Sequence, residues 1–170
     1  MLRRTSIAKA AAETVGTFGL KGPAGPFTLS AKADRIDRLR DGAIEVLDYK
    51  TGAARTRKEM ETGFAPQLPL EGAIAAAGGF GPDLAGAVRA LVYFVLSGAG
   101  DGGKEQRLDG ADAAKAVEAA LNGLQKRIAA FDKADTPYLS RPHMKFRRDP
   151  SDYDHLARFA EWSAYSEDAP

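Results

Sequence analysis

The sequence predicts an α/β domain built on a mixed β-sheet, and three observations carry that expectation. Phe27 to Leu39 alternates apolar and polar side chains, a DG pair stands at Asp41-Gly42, and Ile44 to Lys50 alternates again, so a tight hairpin joins two antiparallel strands. Val88 to Leu96 is a nearly continuous apolar run of β-branched and aromatic residues, the pattern of a strand covered on both faces. Segments of helical character lie before and after that run, and helices interleaved with such strands pack against a sheet.

Taken in order, Thr5 to Leu20 offers small residues and then Val15-Gly16-Thr17-Phe18, which suits a short strand before the turn Lys21-Gly22-Pro23-Ala24-Gly25-Pro26. The hairpin strands follow, and Thr51-Gly52 bounds the second. Ala53 to Gly63 reads as a polar loop carrying Arg55, Arg57 and Lys58. Pro66 opens a helix from Gln67 to about Ala77, because its missing N–H is an orphan donor at a helix start anyway, and Gly78-Gly79-Phe80-Gly81-Pro82 ends it. After the apolar strand come an edge strand near Glu105 to Leu108 and a helix from Asp112 to Phe131, with Ala113, Val117, Ala120, Leu121, Leu124 and Ile128 on one face. The last forty residues are aromatic, charged and interrupted by proline, and carry the weakest pattern.

Composition excludes several classes. A chain of 170 residues is one ordinary domain in size. With 24 basic and 23 acidic residues the formal charge is +1, so any contact with nucleic acid must use local patches. There is no cysteine, which excludes disulfides, thiolate zinc sites and cysteine-ligated iron–sulfur clusters and fits a reducing, cytoplasmic setting. No apolar run approaches the roughly 18 residues of a membrane span, and Met1-Leu2-Arg3-Arg4 leads into no signal-like segment. No G-x-x-x-x-G-K-[ST] phosphate loop is present, so an ATP-driven motor is not encoded here.

The chemistry concentrates around the hairpin. Strand alternation puts Ile44, Val46, Asp48 and Lys50 on one face, apolar at its start and ionic at its end, with the carboxylate and the ammonium roughly 6 to 7 Å apart. On the antiparallel partner, Asp34 comes close enough to Asp48 for both to share one cation. Hard oxygen ligands in that number suit Mg²⁺ or Mn²⁺, with the Tyr49 carbonyl as a further ligand. A cation so held activates water and neutralises charge on a phosphate, Lys50 orients the water or steadies the pentacovalent species, and Gln67 holds water or substrate. An isolated D-x-K is common on solvated strands. The weight here rests on the set, D-R-I-D, hairpin turn, D-Y-K-T-G and Q-L-P-L together.

Those elements, at Ala33-Asp34-Arg35-Ile36-Asp37, Asp48-Tyr49-Lys50-Thr51-Gly52 and Gln67-Leu68-Pro69-Leu70, resemble the RecB-type nuclease domains of the PD-(D/E)xK superfamily. More closely they resemble the C-terminal nuclease domains of AddB-type helicase–nuclease subunits. The resemblance implies a restriction-endonuclease-like mixed sheet flanked by helices, over a single domain 1–170 that is the C-terminal piece of a longer chain, with an irregular or helical tail at 133–170. It implies a Mg²⁺-dependent deoxyribonuclease, exonuclease rather than endonuclease, working on DNA beside an AddA-type subunit, with no membrane partner. By the same resemblance Asp34 and Asp48 are the metal-binding carboxylates, Lys50 the catalytic lysine and Gln67 the helical motif residue.

Three departures from the family pattern stand out. No histidine or glutamate lies on a helix upstream of Asp34, Glu13 being the nearest candidate. The four-cysteine iron–sulfur staple of many relatives is missing, and Glu71 occupies a place where the family often has tyrosine. The tail would then rely on packing of Tyr138, Phe146, Tyr153, Phe159 and Trp162. Asp37, three residues from Asp34 along a strand, falls on the opposite face and reads as partner to an arginine. Arg55, Arg57 and Lys58 are placed to touch DNA phosphates beside the cleft, and Arg141, Lys145, Arg147 and Arg148 near His143 form a second candidate strip. His143 and His155 read as surface residues. A different class of function also fits these residues: a nuclease-like module that binds DNA or a partner subunit with vestigial carboxylates.

Overall fold

The computed structural model describes residues 6–52, 55–96 and 103–138. The chain divides into two compact units, Met1–Ala134 and Asp135–Pro170, and the strands and helices described all belong to the first. The expectations for the aromatic tail, for the Arg141 to Arg148 strip and for both histidines lie outside the described residues, apart from Tyr138.

The described strands form one sheet in the order β1 (Ile7–Gly22), β2 (Gly25–Leu39), β3 (Ile44–Lys50), β4 (Val88–Val95) and β5 (Lys104–Asp109). Neighbours are antiparallel except β3 and β4, which run parallel. Parallel neighbours need a crossover, and it is made by α1 (Arg57–Glu61), α2 (Gln67–Ala76) and a 3₁₀ turn at Pro82–Leu84, while α3 (Gly110–Phe131) follows β5. This is a mixed sheet flanked by helices, a restriction-endonuclease-like arrangement.

Side-chain alternation sorts the sheet into two faces. Ile44 and Val46 join Leu91, Leu108, Leu68 and Ile74 in the larger core, to which every helix contributes apolar residues. The opposite face carries a smaller apolar set, Leu47, Ala90, Val92 and Phe94, made among the described residues by strands alone. Central position explains why β3 is buried from Ile44 through Asp48. On α3, Ala113, Ala116, Ala120 and Ile128 repeat at helical spacing and are the buried residues of that helix.

Two expectations are corrected. The first strand is not a short segment at Val15 to Phe18 but runs through 16 residues, paired with β2 from Ile7↔Leu39 to Gly22↔Gly25. Its alanines hide the alternation that pairing imposes. Nor is Ala53 to Gly63 wholly loop, because Thr56 and Glu59 form a reciprocal capping box that starts α1. That Thr-x-x-Glu signature is a sequence-level helix start, and α1 is anchored by Met60, buried to 1 % exposure.

Close backbone contact ties the long β1–β2 ribbon to the end of α2. Thr17 N–H donates to the Gly79 carbonyl at 3.2 Å, and a Cβ at Gly79 would stand 2.1 Å from the Thr17 carbonyl oxygen. Backbone cannot move aside as a side-chain tip can. Gly79→Ala is therefore expected to destabilise the fold by about 1–3 kcal/mol, as overpacking does, read as a fall in the urea midpoint. An unchanged midpoint would mean that the ribbon is not pinned there.

Candidate active site

The β2–β3 ladder stops where the polar residues begin. β2 pairs with β3 from Arg35↔Leu47 to Arg38↔Ile44, and extending that register by one residue sets Asp34 opposite Asp48. At that point the Asp34 carboxylate replaces a strand carbonyl: its Oδ2 accepts the Tyr49 backbone N–H at 3.0 Å. The backbone donor is satisfied while the strands part, and the parting opens space beside Asp48. Tyr49 itself is fixed by that bond, and its ring stacks on Phe94 at 5.7 Å on the other side of the sheet.

Asp48 is only 2 % exposed, at the end of an otherwise apolar strand. Burial of a carboxylate is costly unless it is paired and hydrogen-bonded. Its Oδ1 accepts from Gln67 Nε2 at 2.8 Å, and Lys50 Nζ lies 2.8 Å from Oδ2. The lysine contact is an ion pair without hydrogen-bond angles, so Oδ2 is buried with no hydrogen-bond partner. Lys50 Nζ also donates to Gln67 Oε1 at 3.4 Å and sits 5.8 Å above the Tyr93 ring.

Gln67 is thereby committed at both ends of its amide. Nε2 donates to Asp48 Oδ1 and, at 3.2 Å, to Glu71 Oε1, while Oε1 faces the lysine. Helix α2 begins at this residue, after Pro66, which offers no side-chain cap. Pro69 removes one of the orphan donors of the first turn, and the Leu68 N–H acts on the Tyr93 hydroxyl. The first residue of α2, Gln67, thus meets the Asp48 carboxylate at the end of β3.

Sequence reasoning placed Asp34, Asp48, Lys50 and Gln67 in one neighbourhood, and the structure brings these four together. Asp37 lies on the other face, held in a two-point contact by Arg35 at 2.8 and 3.0 Å. Glu13 stands across from Asp34 on β1 in a left-handed conformation, φ 52°, and pairs with Lys32. Arg57 is engaged by Glu61 at 2.7 Å and by Asp112, whereas Arg55 and Lys58 are exposed. Tyr93 is a site residue that the sequence does not reveal, since its apolar neighbours read as simple core, and Glu71, noted in the sequence only as a departure from the family's tyrosine, belongs to the site as well.

Glu71 is the unusual group. It is 3 % exposed, and its Oε2 is buried without a hydrogen-bond partner. Burial, with Asp48 and Asp34 nearby, pushes its pKa up to about 7, against the Gln67 hydrogen bond and the Lys50 charge. Burial, with the Asp48 and Glu71 carboxylates nearby, pushes the Tyr93 phenol up as well.

Two oxygens buried without hydrogen-bond partners, on Asp48 and Glu71, fit a cation's demand for hard donors. Among the described residues no three His, Cys, Asp or Glu side chains form a ready-made metal cluster.

The raised Glu71 pKa has a consequence for stability. The folded chain holds this proton more tightly than the unfolded chain, so the associated stability is present at low pH and is lost as pH rises from about 4.5 to about 7. The loss is at most about 3.5 kcal/mol, from some two and a half pH units at about 1.4 kcal/mol each. In chelator-containing buffer, Glu71→Gln should melt higher than the parent chain at pH 8 and nearly equal to it at pH 4.5. Parallel melting curves across that range would show that Glu71 titrates normally.

Comparison with known proteins places this geometry. An uncharacterized protein of Rickettsia bellii (strain RML369-C) is 36% identical over 80 residues, 47% of this chain and 10% of that protein. Uncharacterized proteins of Rickettsia felis (strain ATCC VR-1525 / URRWXCal2) and Rickettsia conorii (strain ATCC VR-613 / Malish 7) are each 38% identical over 68 residues, 40% of this chain and 8% of theirs. The chain thus spans about a tenth of the length of these relatives. The crystal structure of SSO0001 is similar with a TM-score of 0.42 and 16% identity, over 68% of this chain and 50% of that one. The family model of the PD-(D/E)XK nuclease superfamily matches residues 2–145, most of the chain, and the chain belongs to that superfamily.

Proposed function

We propose that this chain is a metal-dependent deoxyribonuclease domain that hydrolyses DNA phosphodiester bonds. The observation that carries the reading is the meeting of Asp34, Asp48, Lys50 and Gln67 at the point where β2 and β3 separate, in front of the N-terminus of α2. Asp34 and Asp48, with the Tyr49 carbonyl, would hold Mg²⁺ or Mn²⁺. Such an ion, when bound, lowers the pKa of water and neutralises charge developing on phosphate.

The chain's own residues do the rest. Lys50 brings a fixed positive charge to the attacked phosphate, and its ammonium is aimed by Asp48 Oδ2, Gln67 Oε1 and the Tyr93 ring. Gln67 sets the rotamer of Asp48 through Oδ1 and so leaves Oδ2 to the Lys50 ammonium. Arg55 and Lys58, exposed beyond the end of β3, would contact neighbouring phosphates, and Arg57 would join them on leaving its acidic partners.

The finer reading is an exonuclease domain of an AddAB-type helicase–nuclease, acting in double-strand break repair in the cytoplasm beside an AddA-type subunit. Supporting it are the D-R-I-D, D-Y-K-T-G and Q-L-P-L elements and the small share of its relatives that the chain covers. Unwinding would then belong to other domains. A second reading, a nuclease-like DNA-binding or subunit-interaction module, draws on the lack of a three-residue metal cluster among the described residues.

Linear single- and double-stranded DNA incubated with the chain and Mg²⁺ or Mn²⁺ separates the two. Cleavage should fall at least about 100-fold in Asp48→Ala and in Lys50→Ala, since each removes a group acting on the transition state. Binding without cutting, unchanged in both variants, would replace the hydrolase with the module.

A further inference from the structure

Glu71 has no structural reason to be where it is. It lies one helical turn after Gln67, on the face of α2 turned to the sheet, and it is 3 % exposed. A carboxylate with one buried oxygen unpaired costs free energy that a leucine or glutamine there would avoid. Its Oε1 accepts from Gln67 Nε2 at 3.2 Å, and the same nitrogen donates to Asp48 Oδ1 at 2.8 Å. One amide thus separates two carboxylates, each with an oxygen buried and without a hydrogen-bond partner, Asp48 Oδ2 and Glu71 Oε2.

Charge points the same way. Asp48 and Asp34 lie close enough to Glu71 to repel its charge, with Lys50 acting against them. A cation among these carboxylates would relieve that repulsion. The three acids do not stand together as a direct ligand cluster, and the Gln67 amide nitrogen lies between Asp48 and Glu71. A small hard cation that keeps its waters reaches a carboxylate at that remove through a water molecule.

We propose that Glu71 is an outer-sphere ligand of the divalent cation, accepting a hydrogen bond from a cation-bound water on the α2 side of the site, opposite Asp34. This rests on the reading of Asp34 and Asp48 as cation ligands and adds a third acidic residue that acts from a helix. Glu71 positions the ion's water shell, and the Gln67 amide bridges it to Asp48.

Calorimetric titration of the 170-residue chain with Mn²⁺ tests this without any activity readout. Glu71→Gln keeps an acceptor for Gln67 and removes the charge. It should weaken Mn²⁺ binding about 10–100-fold, the usual effect of losing an outer-shell partner, and Glu71→Asp should recover part of the affinity. Asp48→Asn should abolish binding, and Asp83→Asn, which removes a surface charge paired with Lys9, should leave it unchanged. A metal-free melting temperature for Glu71→Gln at or above that of the parent chain excludes unfolding as the cause. Parent-like affinity in Glu71→Gln beside lost affinity in Asp48→Asn would overturn the role of Glu71 alone. Binding that is missing in the parent chain, or intact in Asp48→Asn, would overturn the cation site on which it rests.

Discussion

The buried charge of Asp48 is the constraint around which the site is organised. A carboxylate 2 % exposed at the end of an apolar strand is tolerable only if its surroundings replace water, and three elements share that task. β3 supplies Lys50 two residues on, α2 supplies the Gln67 amide and its helix terminus, and β4 supplies Tyr93 beneath the lysine. Remove the crossover and Gln67 no longer meets Asp48 and Lys50. The parallel β3–β4 pair matters for that reason, because a parallel pair forces the chain to return through helices, and the return delivers a helix N-terminus beside the carboxyl end of β3. Ligand sites at the carboxyl ends of parallel strands arise from this geometry in open α/β sheets.

Asp34 solves a different problem on the other side. Strands that part leave backbone donors bare, and an orphaned N–H is destabilising when water is excluded. By accepting the Tyr49 N–H, the Asp34 side chain ends the ladder and lines the opening at once. The same residue is then both a structural plug and a candidate ligand. Substitution by alanine at Asp34 alters strand geometry as well as charge, whereas asparagine retains an acceptor for Tyr49.

Much of the central sheet was legible because its signals are local. The Asp41-Gly42 turn, the alternation of β3 and the apolar run of β4 each follow from short-range rules, and they place Asp48 and Lys50 on one face before any tertiary contact is known. The length of β1 was not legible, since alanines at positions 8, 10, 11 and 12 carry no polarity contrast and the strand exists through its pairing with β2. α1 was hidden by its polar surface, although Thr56 and Glu59 already spelled its cap. Within the site, strand periodicity found the residues on β2 and β3. It could not find Tyr93 and Glu71, whose roles depend on the angle at which α2 crosses the sheet and on Gly72, where a Cβ would come within 2.9 Å of Val117.

Stability and chemistry pull in opposite directions at Glu71. A neutral side chain there would relieve the repulsion from Asp48 and Asp34 and the cost of burial, and the protein keeps the acid nonetheless. A bound dication would release strain of that kind, because the charge that destabilises the metal-free site is the charge that would attract the ion. The tension is local, confined to the Gln67 amide and the groups it touches, while the apolar core beneath holds α2 through Leu68 and Ile74, both fully buried. A rigid helix seat with an electrostatically frustrated front edge gives a site whose shape is set in advance and whose charge balance the proposed cation would complete. Loss of affinity on neutralising Glu71 would therefore accompany a gain in metal-free stability, a pairing of signs that a purely structural glutamate cannot produce.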